Sequence, residues 1–314
     1  MLLKKREVSS KKRVLEMIER RLPKSHAKYD YFQEMLRRTR AGYAGERRVD
    51  KEWQEIYLQH AHYLLHDVQL KVEGGSMHQM DTLFMSQNFV LIVEIKNIAG
   101  RVDYMEDNHQ FIRVTSDGRV DGFRNPFDQV KRHARFLHRL FQMSGHYLPI
   151  ETIVVSANPS MIMSPTFLSQ PIIHVSGLAE RVEQLFKQHQ QVYLSENDLR
   201  ELSTHILKMH TPTQWTLDIK VDELKKGALC SKCEYQFVMH YRQGKWCCEN
   251  CGEVDNLAFN NALKDYRYMY GGFISNSSFQ DFFGISCTKT VYKILKSLQL
   301  QEIGANKNRQ YILK

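Results

Sequence analysis

Two closely spaced cysteine pairs are the feature of this 314-residue sequence that most constrains its fold. Cys230 and Cys233 form the first pair, Cys248 and Cys251 form the second, and 14 residues separate them. Each C-x-x-C pair presents two thiolates at the spacing of a zinc knuckle, and a structural Zn²⁺ site takes four such ligands. The segment between the pairs has the pattern of two strands joined by a turn. We therefore predict a zinc ribbon that binds one Zn²⁺.

The ribbon prediction leaves two alternatives for these cysteines. Cys247 precedes Cys248 and could replace it as a ligand, although its spacing to Cys251 is less suitable. A redox function is disfavoured because no thioredoxin-like βαβ pattern surrounds either pair. A closed four-cysteine site leaves no position open for a substrate, so the predicted zinc is structural. Six cysteines, five of them within 22 positions, favour metal ligation in a reducing compartment, and we expect a cytoplasmic protein.

The distribution of charge points to an anionic partner. The net charge of +9 divides into +9 for residues 1–48, −5 for residues 49–285 and +5 for residues 286–314. Basic ends around an acidic middle suit a protein that binds a polyanion with its flanks and carries cation-dependent chemistry between them. Basic termini that only aid solubility are the simpler alternative. No apolar run reaches the about 20 residues that span a bilayer, so we expect no membrane partner.

Hydrophobic periodicity predicts a mixed α/β domain over residues 41–210. Helix patterns cover residues 10–40, 42–60, 126–142, 177–188 and 195–209. Strand patterns cover Tyr63–Val72, Gln79–Ser86, Phe89–Ile95, Phe111–Thr115, Glu151–Ser156 and Pro171–Val175. The second helix is predicted to begin near Gly42 and Gly45, and the third to begin at the N-cap Asn125 followed by Pro126.

The end of one apolar strand carries an acid and a base. Glu94 and Lys96 alternate with Ile95, so both point to the same face. Asp81 lies in the preceding strand, and a hairpin turn at residues 86–88 can bring it close to Glu94. Glu46 adds a third carboxylate from the helix before the sheet. Such charges in a core strand are costly unless they are paired or bound to a metal.

This set of residues suits metal-dependent hydrolysis of a phosphodiester. Mg²⁺ binds carboxylate oxygens, acidifies a water molecule and neutralises charge on phosphate. A lysine can position or deprotonate that water or stabilise the transition state, and the sequence leaves these roles open. The simpler alternative is a partly exposed ion pair between Glu94 and Lys96 on an edge strand.

Four short motifs of this region resemble a known family. They are Gly42–Glu46, Gln79–Asp81, Glu94–Asn97 with Gly100 shortly after, and Asn125–Gln129. In this order and spacing they resemble the nuclease-related (NERD) domain, which is assigned to the PD-(D/E)xK, or restriction-endonuclease-like, superfamily. The resemblance covers residues 38–160 and implies a restriction-endonuclease-like mixed sheet flanked by helices.

The resemblance also implies roles for individual residues. Asp81 and Glu94 become ligands of Mg²⁺ or Mn²⁺, together with the carbonyl oxygen of Ile95. Met80 stands where the family pattern has proline, and Ile98 where an aromatic residue is common, but neither change removes a catalytic group. The catalytic residues that the resemblance implies are Glu46, Asp81, Glu94, Lys96 and Gln129, with Lys96 as the catalytic lysine and Gln129 as a positioning group.

The C-terminal region resembles a winged helix. A helix, a tight turn, a second helix and a two-strand hairpin follow one another in residues 256–314. A helical domain for protein contact is the alternative.

His133 is the one histidine that we expect to face phosphate. The side chains predicted to bind nucleic acid are Lys131, Arg132, Arg135, Lys289, Lys293, Lys296, Lys307 and Arg309.

These patterns predict four segments and one principal function. The segments are a basic helical segment (1–40), a nuclease-related domain (41–210), a zinc ribbon (225–255) and a winged-helix-like nucleic-acid-binding domain (256–314). The predicted function is a metal-dependent DNA nuclease. A DNA-binding or regulatory protein that uses the nuclease fold without catalysis is the second hypothesis, and a protein-interaction adaptor is the third.

Overall fold

The computed structural model describes residues 1–71, 74–167 and 172–313, which divide into two compact units. The first unit comprises Met1–Val8 and Thr39–Thr213, and the second comprises Ser9–Arg38 and the chain from Gln214 onward. This division groups residues differently from the four predicted segments. The basic N-terminal segment is split between the units, because the apolar face of its helix packs into the same core as the cysteine region and the C-terminal helices.

The described residues form eight α-helices and sixteen strands, numbered here in chain order. The helices are α1 (Ser10–Arg21), α2 (Tyr29–Glu55), α3 (Pro126–Met143), α4 (Leu178–Gln188), α5 (Glu196–Met209), α6 (Asn256–Tyr270), α7 (Asn276–Phe283) and α8 (Thr288–Ser297). The strands are β1 (Leu2–Lys4), β2 (His62–Lys71), β3 (Met77–Ser86), β4 (Val90–Lys96), β5 (Gly100–Met105), β6 (Gln110–Val114), β7 (Val120–Phe123), β8 (Ile150–Ser156), β9 (Met161–Met163), β10 (Ile172–His174), β11 (Ala228–Leu229), β12 (Val238–Arg242), β13 (Lys245–Cys248), β14 (Phe273–Ser275), β15 (Glu302–Ile303) and β16 (Gln310–Ile312).

A six-stranded mixed sheet forms the centre of the first unit, with the strand order β1-β2-β3-β4-β8-β10. Strands β2, β3 and β4 pair antiparallel in succession, whereas the β1–β2, β4–β8 and β8–β10 pairs are parallel. A second sheet of four strands, in the order β7-β6-β5-β9, packs in its own aromatic core. The mixed sheet flanked by helices confirms the predicted α/β class.

Helices cover both faces of the six-stranded sheet. Helices α3 and α5 share one core with Ile92, and α2 and α4 share the opposite core with Val93. Successive side chains of a strand point to opposite faces, which explains why these neighbours enter different cores. By the same alternation Glu94 projects toward the α3 face of the sheet. A charged side chain buried at such a face is costly unless it is paired.

The second predicted helix, residues 42–60, differs at both ends from the observed helix α2. Helix α2 runs without a break from Tyr29 to Glu55, so Gly42 and Gly45 lie in its interior rather than at its start, and residues 56–60 are not helical. Glycine in a helix interior costs up to about 1 kcal/mol relative to alanine, which is why the sequence suggested a boundary there.

Several short strands were not predicted from the sequence. These are β1, β5, β7, β9, β11 and β14, each of two to six residues, too short for a clear alternating pattern. Two predicted strands reach beyond what the structure describes, since Val72 and Pro171 lie outside the described residues.

The second unit combines the cysteine region with the C-terminal helices around one core. Strands β11, β12 and β13 form an antiparallel sheet, and the turn between β12 and β13 contains Gln243 and Gly244, both with positive φ. Helices α6, α7 and α8 accompany a small sheet in the order β14-β16-β15, of which β14 lies between α6 and α7 in the chain and the other two strands follow α8. Helix α1 joins this core, where Arg21 binds Asp265 at 2.8 Å. None of the described helices combines the length and the apolar character needed to cross a membrane.

Candidate active site

Two of the predicted carboxylates lie side by side on β3 and β4. The strands pair antiparallel with Thr82 opposite Val93, and this register brings Asp81 next to Glu94. The Oδ2 atom of Asp81 accepts a hydrogen bond of 2.8 Å from the backbone N–H of Ile95. The hairpin therefore holds the Asp81 side chain against the backbone of the residue that follows Glu94.

Glu94 is the centre of a buried polar contact. Its Oε1 accepts a hydrogen bond from Lys96 Nζ at 2.6 Å, and its Oε2 accepts one from Gln129 Nε2 at 2.8 Å. Glu94 is only 3% exposed, and β4 lies between β3 and β8 within the sheet. The ion pair of the simpler alternative is therefore present, but its placement on an edge strand is wrong, because β4 is an interior strand and the carboxylate is buried.

Gln129 reaches Glu94 because helix α3 begins at a defined place. The Asn125 side chain caps the helix by accepting a hydrogen bond of 2.9 Å from the Phe127 N–H, and Pro126 occupies the first helical turn. Gln129 then lies at the end of the first turn, facing the strand. Four residues predicted as catalytic, Asp81, Glu94, Lys96 and Gln129, thus come together.

Glu46 enters from helix α2 and is held by an arginine that the sequence analysis did not single out. Arg6 NH1 donates to Glu46 Oε2 at 3.0 Å, while its Nε and NH2 atoms bind the carboxylate of Asp50 at 3.1 and 3.2 Å. Arg6 NH2 also donates to the backbone carbonyl of Asp81 at 2.7 Å. One guanidinium therefore links the helix that carries Glu46 to the strand that carries Asp81.

His66 and Thr82 complete this buried network beneath the site. His66 Nδ1 lies 2.9 Å from Thr82 Oγ1 and 3.3 Å from Asp50 Oδ1. Burial lowers the pKa of His66 to about 4, so the ring is neutral and the negative charge of Asp50 is balanced by Arg6. No spacing signal in the sequence connects Arg6 to residues 40 to 76 positions away, which is why the network was missed.

The surroundings of the site raise the pKa values of its three carboxyl groups. Burial, followed by the charge of Asp81, raises the pKa of Glu94 to about 8. Burial and the charge of Asp81 also raise the pKa of Glu46 to about 7. Burial raises the pKa of Asp81 against the opposing charge of Lys96. Carboxyl groups that raise one another's pKa favour a proton or a cation between them.

The donor set has the oxygen chemistry that a hard divalent cation prefers. Mg²⁺ and Mn²⁺ prefer oxygen ligands, and Asp81, Glu94 and Glu46 supply only oxygens. Among the described residues, neither Oδ1 of Asp81 nor Oε1 of Glu46 has a hydrogen-bond partner, so both remain available as ligands. The carbonyl of Ile95 remains a predicted ligand, and the Ile95 side chain packs into the core on the opposite face.

Gly45 lets helix α2 approach the end of β4. A Cβ atom at this position would lie 2.5 Å from the Cβ of Asn97, closer than real side chains come. Asn97 in turn donates from Nδ2 to the carbonyl of Ala41 at 2.6 Å. Gly45, the glycine of the first motif, therefore allows α2 to pack closely against Asn97. Glu46 is the next residue of the same helix.

The basic residues of α3 lie in different environments. Lys131 and Arg135 are exposed, and Arg132 is half-buried three residues after Gln129. His133 is buried, and its Nδ1 lies 3.0 Å from Nδ1 of His78. The prediction that His133 faces phosphate is therefore wrong, since its ring is enclosed by neighbouring side chains.

The predicted basic residues of the C-terminal region are only partly paired. Lys289 and Lys293 are exposed and form no ion pair with a described residue. Lys296 binds Glu302 at 2.5 Å, and Arg309 lies 3.4 Å from the same carboxylate. The Lys307 side chain lies outside the described part of the chain.

The four cysteines of the two C-x-x-C pairs gather as predicted. Their sulfur atoms lie within 4.8 Å of one another, with 3.7 Å between Cys230 and Cys251 and 3.8 Å between Cys233 and Cys248. Four Zn–S bonds of about 2.3 Å in a tetrahedron place the sulfurs about 3.8 Å apart, so the cluster fits one zinc ion. Cys247 lies outside the cluster, opposite His240 in the hairpin.

Comparison with known proteins agrees with the site geometry. Residues 41–157 match the model of the family described as the nuclease-related domain, and this range contains Glu46, Asp81, Glu94, Lys96 and Gln129. Arg6 precedes it. No curated protein and no solved structure matches the chain. The region that carries the candidate site is thus a match to the nuclease-related domain, and the resemblance inferred from its motifs is confirmed.

Proposed function

We propose that this protein is a Mg²⁺-dependent nuclease that hydrolyses phosphodiester bonds, with DNA as its substrate. The observation that carries the proposal is the convergence of Asp81, in the middle of β3, with Glu94 and Lys96 at the end of β4. The match of residues 41–157 to the nuclease-related domain supports the same conclusion.

Each residue of the site has a role that follows from its contacts. Asp81 and Glu94, with Glu46 as a further carboxylate, would hold the cation. When bound, the cation would lower the pKa of a water molecule and balance charge on the phosphate. Gln129 donates to Glu94 Oε2 and thereby fixes the orientation of this carboxylate.

Lys96 supplies the positive charge of the site. Its ammonium carries three donors, of which one contacts Glu94. The remaining donors can hold the attacking water or an oxygen of the scissile phosphate, where an ammonium stabilises developing negative charge. The side chain is 22% exposed, so a substrate phosphate can reach it from solvent.

A nucleic acid binder without catalysis is the second candidate function. Both oxygens of Glu94 already have partners, Lys96 and Gln129. Among the described residues, the four cysteines form the one group compact enough to hold a metal ion as it stands. On this reading Lys96 neutralises Glu94 permanently, and the fold only binds nucleic acid.

A cleavage assay separates the two candidates. The full chain is incubated with linear, circular, single-stranded and double-stranded DNA in Mg²⁺ or Mn²⁺, and Lys96→Ala is compared with Lys51→Ala, which changes an exposed lysine of α2. We expect Lys96→Ala to lose cleavage by about 10²–10³-fold, the cost of removing one charge-stabilising group. Lys51→Ala should cleave like the wild type.

The outcomes distinguish the functions clearly. Divalent-dependent cleavage that disappears in Lys96→Ala, Asp81→Ala and Glu94→Ala supports the nuclease. Cleavage that survives in all three variants contradicts the assigned site. DNA binding without cleavage of any substrate supports the second candidate.

A further inference from the structure

A groove of about 570 Å³ lies within the second unit, between the β12–β13 hairpin of the cysteine ribbon and the start of α8. The hairpin contributes His240, Arg242 and Gln243, and α8 contributes Thr290 and Lys293. No aspartate or glutamate lines it. The groove therefore offers cations and hydrogen-bond donors from two elements that are far apart in the sequence.

The cations of the groove retain unused donors. Lys293 is exposed and forms no ion pair with a described residue. Arg242 pairs with Glu249, but a carboxylate engages at most two of the five donors of a guanidinium. The hairpin from Phe237 to Trp246 contains Arg242 and Lys245 and no acidic residue.

The cationic surface continues beyond the groove along α8. Lys289, Lys293 and Lys296 follow a spacing of four and three residues, which places them on one face of the helix. Glu302 partly neutralises Lys296 and Arg309 near the last hairpin. The least compensated charge is thus at the α8 end that faces the ribbon, and a line of charge suits an extended polyanion better than a small anion.

We propose that this groove receives the sugar-phosphate backbone of DNA, so that the ribbon hairpin and α8 form one interface. The inference rests on the nucleic acid function proposed above and adds a second role to the cysteine ribbon. Zinc would hold the hairpin, and the hairpin would place Arg242 opposite Lys293. Phosphate contacts of this kind fix the register of a protein on DNA.

Fluorescence anisotropy on a labelled DNA duplex tests the interface. The zinc-loaded full chain carries Lys96→Ala to prevent cleavage, and Arg242→Gln and Lys293→Gln are added singly and together. We expect each single change to weaken binding about fivefold. We also expect each to reduce the slope of log K against log salt by about 0.9, the value for one lost phosphate contact.

Matched variants control for folding and for general charge. Lys232→Gln changes an exposed lysine of the ribbon that lies outside the groove, and it should leave both affinity and slope unchanged. Zinc content and circular dichroism should be unchanged in all variants. Equal affinity of the Arg242 and Lys293 variants and the parent would overturn the inference, and so would weaker binding with an unchanged salt slope.

Failure of the inference and failure of the proposed function give different results. If the chain cleaves DNA but the groove variants bind normally, the nuclease stands and the interface is wrong. If no cleavage is found but the groove variants bind more weakly with lower salt slopes, the interface stands without the nuclease.

Discussion

The acidic site of the first unit and the cysteine cluster of the second are candidate metal sites of opposite design. The cluster takes its four ligands from 22 consecutive residues, and the sulfurs already stand at the separations of a tetrahedral zinc site. The acidic site draws on α2, β3, β4 and α3, and its central carboxylate is bound to a lysine and a glutamine.

The functions proposed for the two sites account for this difference. A structural site gains most when the ligands close around the metal, because binding then stabilises the fold. A catalytic site must leave room for water and phosphate, so its ligands are held by protein contacts rather than by the metal. In this chain the buried Arg6 network provides those contacts.

The largest effect should come from removing two ligands of the cluster. Cys230→Ser combined with Cys233→Ser should abolish zinc binding, which contributes on the order of 10 kcal/mol in small zinc domains, and should unfold the ribbon. Metal analysis should find about one zinc per wild-type chain and none in the variant, and circular dichroism should report the loss of structure.

Cys247 offers a matched control for this change. It lies next to Cys248 but outside the cluster, so Cys247→Ser should retain zinc and structure. Loss of zinc from Cys247→Ser, or a wild-type chain without zinc, would contradict the assignment of the four ligands.

A smaller effect should follow when the contacts beneath the acidic site are removed. Arg6→Met removes the shared partner of the buried Asp50 and the partly exposed Glu46, and breaking a buried ion pair costs about 3–5 kcal/mol. Thermal or urea denaturation measures the loss. Lys5→Met changes the exposed neighbour and should have little effect, and Arg6→Lys should recover only part of the stability because one ammonium cannot span three acceptors.

This variant also tests whether the two sites differ in design. If Arg6→Met is as stable as the wild type, the acidic site does not depend on contacts from outside the matched domain. The contrast with the metal-closed cysteine cluster would then be lost.

Local patterns account for the parts of the molecule that could be predicted. The hairpin of β3 and β4 followed from apolar runs around a polar turn, and it brought Asp81 to Glu94 as expected. The start of α3 followed from Asn125 and Pro126. The cysteine spacing alone indicated the cluster, since its geometry depends on few residues beyond it.

Long-range contacts account for what could not be predicted. Gly45 suggested the start of a helix, but its role is to let α2 pass Asn97, a contact between residues 52 positions apart. Arg6 gave no signal because its partners lie on α2 and β3. Such contacts depend on the assembled sheet, and periodicity describes only one element at a time.

The smallest predicted effect concerns the pH dependence of stability in the absence of Mg²⁺. The raised pKa values of Glu94, about 8, and Glu46, about 7, mean that the folded chain binds more protons than the unfolded chain above pH 5. The contribution of these two groups to the free energy of unfolding therefore falls as pH rises from 5.5 to 8.5. The stabilisation from these groups is fully present at pH values below their ordinary pKa. It is lost as the pH rises through their raised, folded-state pKa values.

Glu94→Gln isolates the largest part of this dependence, because glutamine keeps the shape of the side chain and cannot ionise. Urea denaturation at pH 5.5 and 8.5 should show that the wild type loses on the order of 2 kcal/mol more than the variant over this interval. Glu183→Gln, an exposed change on α4, should behave like the wild type. If the wild type and Glu94→Gln show an equal pH dependence, Lys96 fully compensates the charge of Glu94. The acidic site would then be complete without a cation, whereas the geometry of the cysteine cluster suits a bound metal ion.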